Sequence, residues 1–234
     1  MRKRGAIFIM DSQLVLVRHG ETAANAAGLW QGAEDKGLTA RGVRQAQALA
    51  QRLASEYSTA TAIYSSPLNR ALQTAKIIQA ALPHLPLHLR PDLVEYDLGD
   101  WAGLSFATLK DERRLWERMA ADPDFAPPGG ESPRHFARRI VAALREIANV
   151  HAGNTVIVVS HGGVIATALA LLIHSDGSHW TEYDLANGAF SVLAMGEQPR
   201  LLSHNETAHL AEVGSIMWTE QDNAQPAKEK DTCP

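Results

Sequence analysis

The sequence is poor in cysteine and carries a small excess of negative charge. One cysteine stands among 234 residues, so the chain cannot form an internal disulfide, and no cysteine cluster is available to bind a metal. A net charge of −4 argues against broad electrostatic binding to nucleic acid. It also requires that a site for an anionic substrate be built from local positive groups.

Long apolar runs are also missing. No uninterrupted stretch approaches the roughly 20 apolar residues of a membrane-spanning helix. Near the start, the apolar residues 6–10 are interrupted by Asp11. This stretch is shorter than the apolar core of a signal peptide, and no small-residue cleavage site follows it. We therefore expect a soluble, unsecreted protein that lies in the cytoplasm and has no membrane partner.

What is present is an alternation of strand-like and helical patterns. The alternation predicts a three-layer α/β/α fold with a mostly parallel, mixed central sheet. The predicted strands cover 13–17, 61–65, 85–89, 155–159, 189–195 and 201–203, and the predicted helices cover 39–53, 67–82, 104–121, 136–147 and 164–173. Thr39 is the predicted N-cap of the first helix, and Pro67 is the predicted first residue of the second.

No repeat or linker divides the chain. We expect one domain over residues 12–211, preceded by an N-terminal extension of residues 1–11. Residues 212–234 form a polar tail that is expected to be disordered. At this length one hydrophobic core is stable without disulfides or structural metals.

Charged side chains follow several of the predicted strands. Arg18 and His19 follow the first strand, and His161 follows the strand at 155–159. Arg70 and Glu95 come soon after the second and third strands. Because ligands bind at the carboxyl ends of parallel strands, we expect these five side chains to converge.

These residue types suit displacement at a phosphate group. Two arginines match the charged equatorial oxygens with planar, bidentate forks. A neutral histidine, His19 or His161, can act as the nucleophile, and Glu95 can protonate the departing alkoxide. The glycines that follow each histidine let backbone N–H groups approach an anion at a helix start.

Taken alone, each catalytic candidate also has a purely structural interpretation. Residues 18–20 can form an ordinary turn, and His161 can simply end a strand. Arg70 can make a surface salt bridge, and Glu95 can be a surface charge. Four tryptophans are interpreted as packing groups rather than substrate platforms: Trp30, Trp101, Trp116 and Trp180. Eight histidines show no metal-ligand spacing in the sequence and are interpreted as structural or exposed: His84, His88, His135, His151, His174, His179, His204 and His209.

A series of short motifs runs through most of the chain and favours the functional interpretation. The motifs occupy residues 16–25 (LVRHGETAAN), 31–32 (QG), 38–42 (LTARG), 64–75 (YSSPLNRALQTA), 95–101 (EYDLGDW), 129–132 (GGES), 159–163 (VSHGG), 187–188 (NG) and 205–209 (NETAH). Their joint order resembles the histidine phosphatase superfamily, also called the phosphoglycerate mutase-like family, over roughly residues 12–211.

The resemblance implies a role for each site residue. His19 becomes the phosphohistidine, while Glu95 acts first as acid and then as base for the attacking water. The residues implied to hold the phosphoryl group and the substrate are Arg18, Thr22, Asn25, Gln31, Arg70, His161 and Gly162. Neither a metal nor a cofactor is expected, and the partner is a small phosphomonoester.

The segment after Glu95 separates the branches of the family. Family mutases carry a basic insertion there, whereas this chain continues directly into residues 98–101 and meets its next basic residue at Lys110. A phosphatase is therefore favoured, with a cofactor-dependent phosphoglycerate mutase second and a catalytically silent phosphate-binding protein third. Sugar phosphates, phosphoglycerates, α-ribazole phosphate and phosphoprotein stay open as substrates, as do monomer and homodimer. Residues 101–130 are expected to form the specificity surface.

Overall fold

The structure is a computed structural model that describes residues 11–34 and 36–214. In the described part of the chain, six strands form one sheet in the order β3-β2-β4-β1-β5-β6. The strands are β1 (Ser12–Arg18), β2 (Ala62–Ser65), β3 (Leu87–Leu89), β4 (Thr155–Ser160), β5 (Phe190–Met195) and β6 (Arg200–Glu206). The first four in this order run parallel, and β5 and β6 pair antiparallel. The predicted mostly parallel, mixed sheet is confirmed.

Within residues 11–34 and 36–214, six α-helices accompany the sheet. They are α1 (Ala23–Ala27), α2 (Ala40–Glu56), α3 (Asn69–Ala81), α4 (Leu115–Ala121), α5 (Pro133–Val150) and α6 (Gly162–His174). A π-helical turn covers Thr108–Glu112, and 3₁₀ segments cover Pro91–Leu93, Gly99–Trp101, Gly177–Tyr183 and Ala208–Leu210.

Side chains of the central strand alternate between two buried clusters, as the pleat of a strand requires. Leu14 and Leu16 pack with apolar residues of α5 and α6 on one face of the sheet. Val15 and Val17 pack with residues of α2 and α3 on the other face. The sheet therefore lies between two helical layers, and the predicted three-layer α/β/α fold is confirmed.

The helix α2 shows how local sequence sets one of these layers. Thr39 has extended backbone, and its Oγ1 accepts a hydrogen bond from Gly42 N at 3.0 Å, which confirms the predicted N-cap. Leu49 and Leu53 are fully buried against the sheet. Each such side chain contributes about 1.5–3 kcal/mol through removal of its apolar surface from water.

Two helix predictions need correction. The second helix begins at Asn69 rather than Pro67, because Leu68 keeps an extended backbone and donates its N–H to Ser66 Oγ at 3.3 Å. The predicted helix over 104–121 is interrupted. A π-helical turn occupies its first half, and Arg114 then adopts a left-handed backbone (φ 52°) before α4 begins.

The ends of the chain lie outside these elements. Nearly all of the predicted N-terminal extension and most of the predicted tail lie outside the described residues. Within the part of the chain that the structure describes, no helix combines the length and the apolar character needed to cross a bilayer.

Candidate active site

A cavity of about 790 Å³ opens at the carboxyl ends of the central strands. Four of the predicted catalytic residues line it: Arg18, His19, Arg70 and Glu95. Arg18 ends β1, Arg70 lies in the first turn of α3, and Glu95 follows the 3₁₀ turn Pro91–Leu93. The structure thus brings together side chains from distant parts of the sequence.

His19 is held in one tautomer. Its Nδ1 lies 2.7 Å from the carbonyl oxygen of Gly20, and because a carbonyl only accepts hydrogen bonds, Nδ1 carries the proton. The lone pair of the neutral ring is then on Nε2. Burial, together with the positive charges of Arg70 and Arg18, holds the pKa of His19 well below its ordinary value. His19 is therefore a neutral imidazole at pH 7.

Arg18 supplies buried positive charge beside His19. One of its terminal nitrogens donates to the carbonyl of Leu185 and lies 3.9 Å from the Asp184 carboxylate. Among the described residues, no acceptor lies within hydrogen-bond distance of its buried Nε. Burial lowers the pKa of the guanidinium, and the carboxylates of Asp184 and Glu95 oppose that effect. Arginine stays charged in proteins, so this N–H is a donor suited to an anion.

Arg70 is 1% exposed and is fixed from three sides. Its terminal nitrogens donate to the carbonyls of Gly32, at 2.7 Å, and Glu34. Its Nε donates to Nδ1 of His161 at 3.2 Å. The loop after α1 and the start of α6 therefore orient one guanidinium toward the cavity.

Glu95 lies against the first turn of α6. Its Oε2 accepts a hydrogen bond from Gly163 N at 3.0 Å, and its Oε1 accepts one from Tyr96 N at 2.9 Å. A Cβ at position 163 would stand 2.6 Å from Oε1. Glycine at position 163 therefore makes room for the carboxylate.

His161 lies beside His19, with the two ring centroids 5.2 Å apart, and its role in holding the phosphoryl group stays a prediction. His161 is fully buried. The neighbouring Gly162 and Gly163 line the cavity, whereas His161 does not. Its Nδ1 accepts from Arg70, so its proton is on Nε2, which donates to Ser66 Oγ at 2.8 Å. His161 thus hydrogen-bonds Arg70 and packs edge-on against His19, although it does not itself line the cavity.

The predicted substrate-binding residues on α1 form a polar cluster. Asn25 Oδ1 accepts hydrogen bonds from Thr22 N, at 3.1 Å, and from Asn187 Nδ2, also at 3.1 Å. The amide nitrogen of Asn25 is then the group left to contact a ligand. Gln31 lines the cavity and donates to Thr22 Oγ1 at 2.5 Å. Thr22 is fully buried and acts as the N-cap of α1, so it positions Asn25 and Gln31.

Sequence reasoning missed residues that position the site through its backbone. Asn187 Nδ2 and Gly188 N donate to the carbonyl of His19 at 3.2 and 3.1 Å. Arg139 of α5 donates to the carbonyl of Glu95 at 3.1 Å. The motif at 187–188 was the signal for the first pair, whereas Arg139 belongs to no motif.

Two glycines let α2 approach the catalytic loop. A Cβ at Gly20 would clash with the carbonyl of Gly42, and a Cβ at Gly42 would clash with the backbone of Glu21. The first turn of α2 therefore lies in backbone contact with the segment that carries His19.

The tryptophan interpretation needs partial correction. Trp101 is buried, as a packing group should be. Trp30, Trp116 and Trp180 are half-buried against the core and also line the cavity. They are not packing groups alone.

Outside the cavity, the structure brings two of the other histidines to one carboxylate. The ligand-type atoms of His174, His179 and Glu182 all lie within 4.8 Å of one another. The two histidines are five residues apart, with the left-handed Ser175 between them, so sequence spacing does not show their proximity. None of these three residues lines the cavity.

The comparison with known families agrees with this geometry. The profile of the histidine phosphatase superfamily (branch 1) matches residues 14–207. The chain belongs to this superfamily, and it is a phosphatase.

Individual relatives match over most of the chain. A metal-independent phosphoserine phosphatase of Arabidopsis thaliana is 34% identical over 92% of this chain and 90% of its own length. The crystal structure of a phosphoserine phosphatase of Entamoeba histolytica, in complex with 3-phosphoglyceric acid, superposes with a TM-score of 0.75. It is 30% identical and covers 85% of this chain and 99% of its own. Phosphoglycerate mutase-like protein 4 of Arabidopsis thaliana is 39% identical over 66% of this chain and 68% of its own length.

Proposed function

We propose that the protein hydrolyses phosphomonoesters through a covalent phosphohistidine on Nε2 of His19, without a metal ion. The observation that carries the proposal is the state of that ring. It is neutral, its proton is held on Nδ1 by Gly20, and two buried arginines lie beside it. A nucleophile in this state attacks phosphorus without first losing a proton.

In the first half of the reaction, the Nε2 lone pair forms the N–P bond as the bond between phosphorus and the ester oxygen breaks. Glu95, protonated, gives its proton to the departing alkoxide. The products are the free alcohol, phosphohistidine and the Glu95 carboxylate. The hydrogen bonds from Gly163 and Tyr96 hold that carboxylate at the cavity wall.

In the second half, a water molecule attacks the phosphorus of phosphohistidine. The Glu95 carboxylate takes one proton from this water as the new O–P bond forms and the N–P bond breaks. His19 returns to its neutral form, and inorganic phosphate is released. One water is consumed for each ester cleaved.

The phosphoryl oxygens have donors on several sides. The free Nε of Arg18, the guanidinium of Arg70 and the amide of Asn25 all belong to cavity residues. The start of α6 at Gly162 adds the positive end of a helix dipole. His161 serves this set through Arg70, whose orientation it fixes.

The proposal predicts inorganic phosphate release that survives EDTA and depends on His19. A panel of phosphoserine, 3-phosphoglycerate and p-nitrophenyl phosphate is assayed with wild type, His19→Ala and His151→Ala. His151 hydrogen-bonds Tyr64 and lines no part of the cavity, so it is the matched control. Acid-labile radiolabel from [³²P] ester should appear on the wild-type protein and be absent from His19→Ala. Label retained by His19→Ala contradicts the assignment.

The role of Glu95 is tested by leaving-group dependence. Glu95→Gln should slow hydrolysis of an alkyl phosphate by about 10²–10⁴-fold, and should slow p-nitrophenyl phosphate much less, because nitrophenolate leaves without a proton. Glu112→Gln removes an exposed carboxylate elsewhere and should match wild type. Equal slowing of both esters by Glu95→Gln excludes it as the acid.

A mutase would pass the phosphoryl group to a second phosphoglycerate rather than to water. Similarity to a mutase-like protein supports testing this alternative. With 3-phosphoglycerate and a trace of bisphosphoglycerate, ³¹P NMR should show that inorganic phosphate accumulates. If 2-phosphoglycerate accumulates instead, the protein is a mutase.

We also propose that the protein is located in the cytoplasm, and cell fractionation tests this location.

A further inference from the structure

A group of aromatic rings lines part of the cavity. Trp116 lies at the centre of this group, with ring centroids 4.7 Å from Phe106, 5.3 Å from Trp30 and 6.4 Å from Trp180. All four residues line the same cavity as His19 and Arg70. We call these four residues the aromatic wall.

The aromatic wall is assembled from separate segments. Trp30 lies in the loop after α1, Phe106 lies before the π-helical turn, Trp116 lies in α4 and Trp180 lies in the 3₁₀ segment Gly177–Tyr183. Each ring is only half-buried. Apolar ring surface that stays in contact with water is unfavourable, so a ligand that covers these rings gains binding free energy.

The charges of the cavity lining do not suit a small carboxylate-bearing substrate. Beyond Arg18 and Arg70, the cationic side chain that the structure places in the lining is Lys110, which is exposed and lies 5.7 Å above the Phe106 ring. The acidic residue Glu117 also lines the cavity, and the carboxylate of Asp184 lies 3.9 Å from Arg18. A compact anionic leaving group would gain little here and would leave the rings in water.

We propose that the preferred substrates are phosphomonoesters of alcohols that carry a large planar aromatic group, which packs against the aromatic wall. This inference rests on the proposed function, since the phosphoryl group must occupy the site at His19. The volume of about 790 Å³ lies in the range of cavities that enclose ligands of drug-like size, and a three-carbon phosphate fills only a part of it.

The test uses two esters with matched leaving groups, 2-(1-naphthyl)ethyl phosphate and ethyl phosphate. Both release a primary alkoxide, so a difference in kcat/KM reports contacts of the ring rather than leaving-group chemistry. We expect kcat/KM to be at least tenfold higher for the naphthyl ester, which corresponds to about 1.4 kcal/mol. We also expect it to exceed the value for phosphoserine.

Variants then locate the preference. Trp116→Leu should lower the ratio of the two kcat/KM values toward one. Phe106→Leu gives the same test if Trp116→Leu does not fold. Phe125→Leu is the control, because Phe125 packs on Trp101 and does not line the cavity; it should keep the wild-type ratio.

Each outcome bears on one proposal in a distinguishable way. A wild-type ratio below ten, a phosphoserine value above that of the naphthyl ester, or a ratio that neither wall variant lowers overturns the aromatic preference. In those cases His19-dependent release from p-nitrophenyl phosphate still supports the proposed function. No His19-dependent release from any ester overturns both proposals.

Discussion

Replacing Gly163 with alanine should lower catalytic activity without lowering the stability of the fold. Gly163 lies in the first turn of α6, where its N–H holds Glu95 Oε2. A Cβ there would stand 2.6 Å from Glu95 Oε1, and ordinary contact begins at 3.4 Å. The carboxylate must therefore retreat by about 0.8 Å, and displacements of about 1 Å at a reacting group can cost about 10²-fold in rate.

The same substitution should not weaken the fold. The atoms that the new methyl group meets are the far end of a flexible side chain, so the backbone need not move. Alanine is favoured over glycine inside a helix by up to about 1 kcal/mol. In a chain of this size, that gain corresponds to a rise of roughly 2–4 °C in Tm.

The assay combines kcat/KM for ethyl phosphate with thermal unfolding. We expect Gly163→Ala to lose about 10–100-fold in kcat/KM at an equal or higher Tm. Gly177→Ala is the matched control, because its Cβ would lie 3.6 Å from Leu171 in ordinary contact; it should keep wild-type activity. A folded Gly163→Ala protein with activity within about twofold of wild type would refute the placement of the carboxylate.

Three further outcomes follow from the described contacts. Lowering the pH from 7.5 to 5 should destabilise the protein, because the unfolded chain protonates His19 near pH 6.5 while the folded state keeps it neutral. Urea titrations at several pH values measure how the free energy of unfolding changes with pH. His19→Asn should reduce that slope by up to about 1.4 kcal/mol per pH unit. Ile140→Ala removes a fully buried side chain of α5 and should cost about 2–5 kcal/mol in the free energy of unfolding without changing KM. Thr39→Ala removes the α2 cap and a 2.7 Å hydrogen bond to Glu21, and should cost about 1 kcal/mol by the same measurement.

The sequence predicted best where one local signal decides the structure. The strand at 13–17 and the cap at Thr39 were both found, since a β-branched run and a capping side chain act over a few residues. The start of the second helix was missed by two residues. A hydrogen bond from Leu68 to Ser66 keeps the chain extended there, and such a bond is not visible in propensity.

In the candidate site, too, some residues could be predicted from local motifs and others only from the folded structure. Motifs identified His19, Arg70 and Glu95, which the structure brings to one cavity. The orientation of His161 toward Arg70 depends on how the end of β4 and the first turn of α3 meet in the folded chain, so spacing could not reveal it. The aromatic wall was also missed, because its rings come from separate segments that meet only in the folded chain.

The backbone contact at Gly20 and Gly42 makes the two sides of the cavity unequal. With no side chain between them, the His19 loop and α2 must move together, and α2 is itself packed on the sheet through Leu49 and Leu53. Another side of the cavity is built from short helical segments and loops over 101–121 and 177–184. Changes accumulating on that side would retune which alcohol is accepted while the phosphate-handling residues stay in place. One scaffold can thus diversify its substrates without rebuilding its nucleophile.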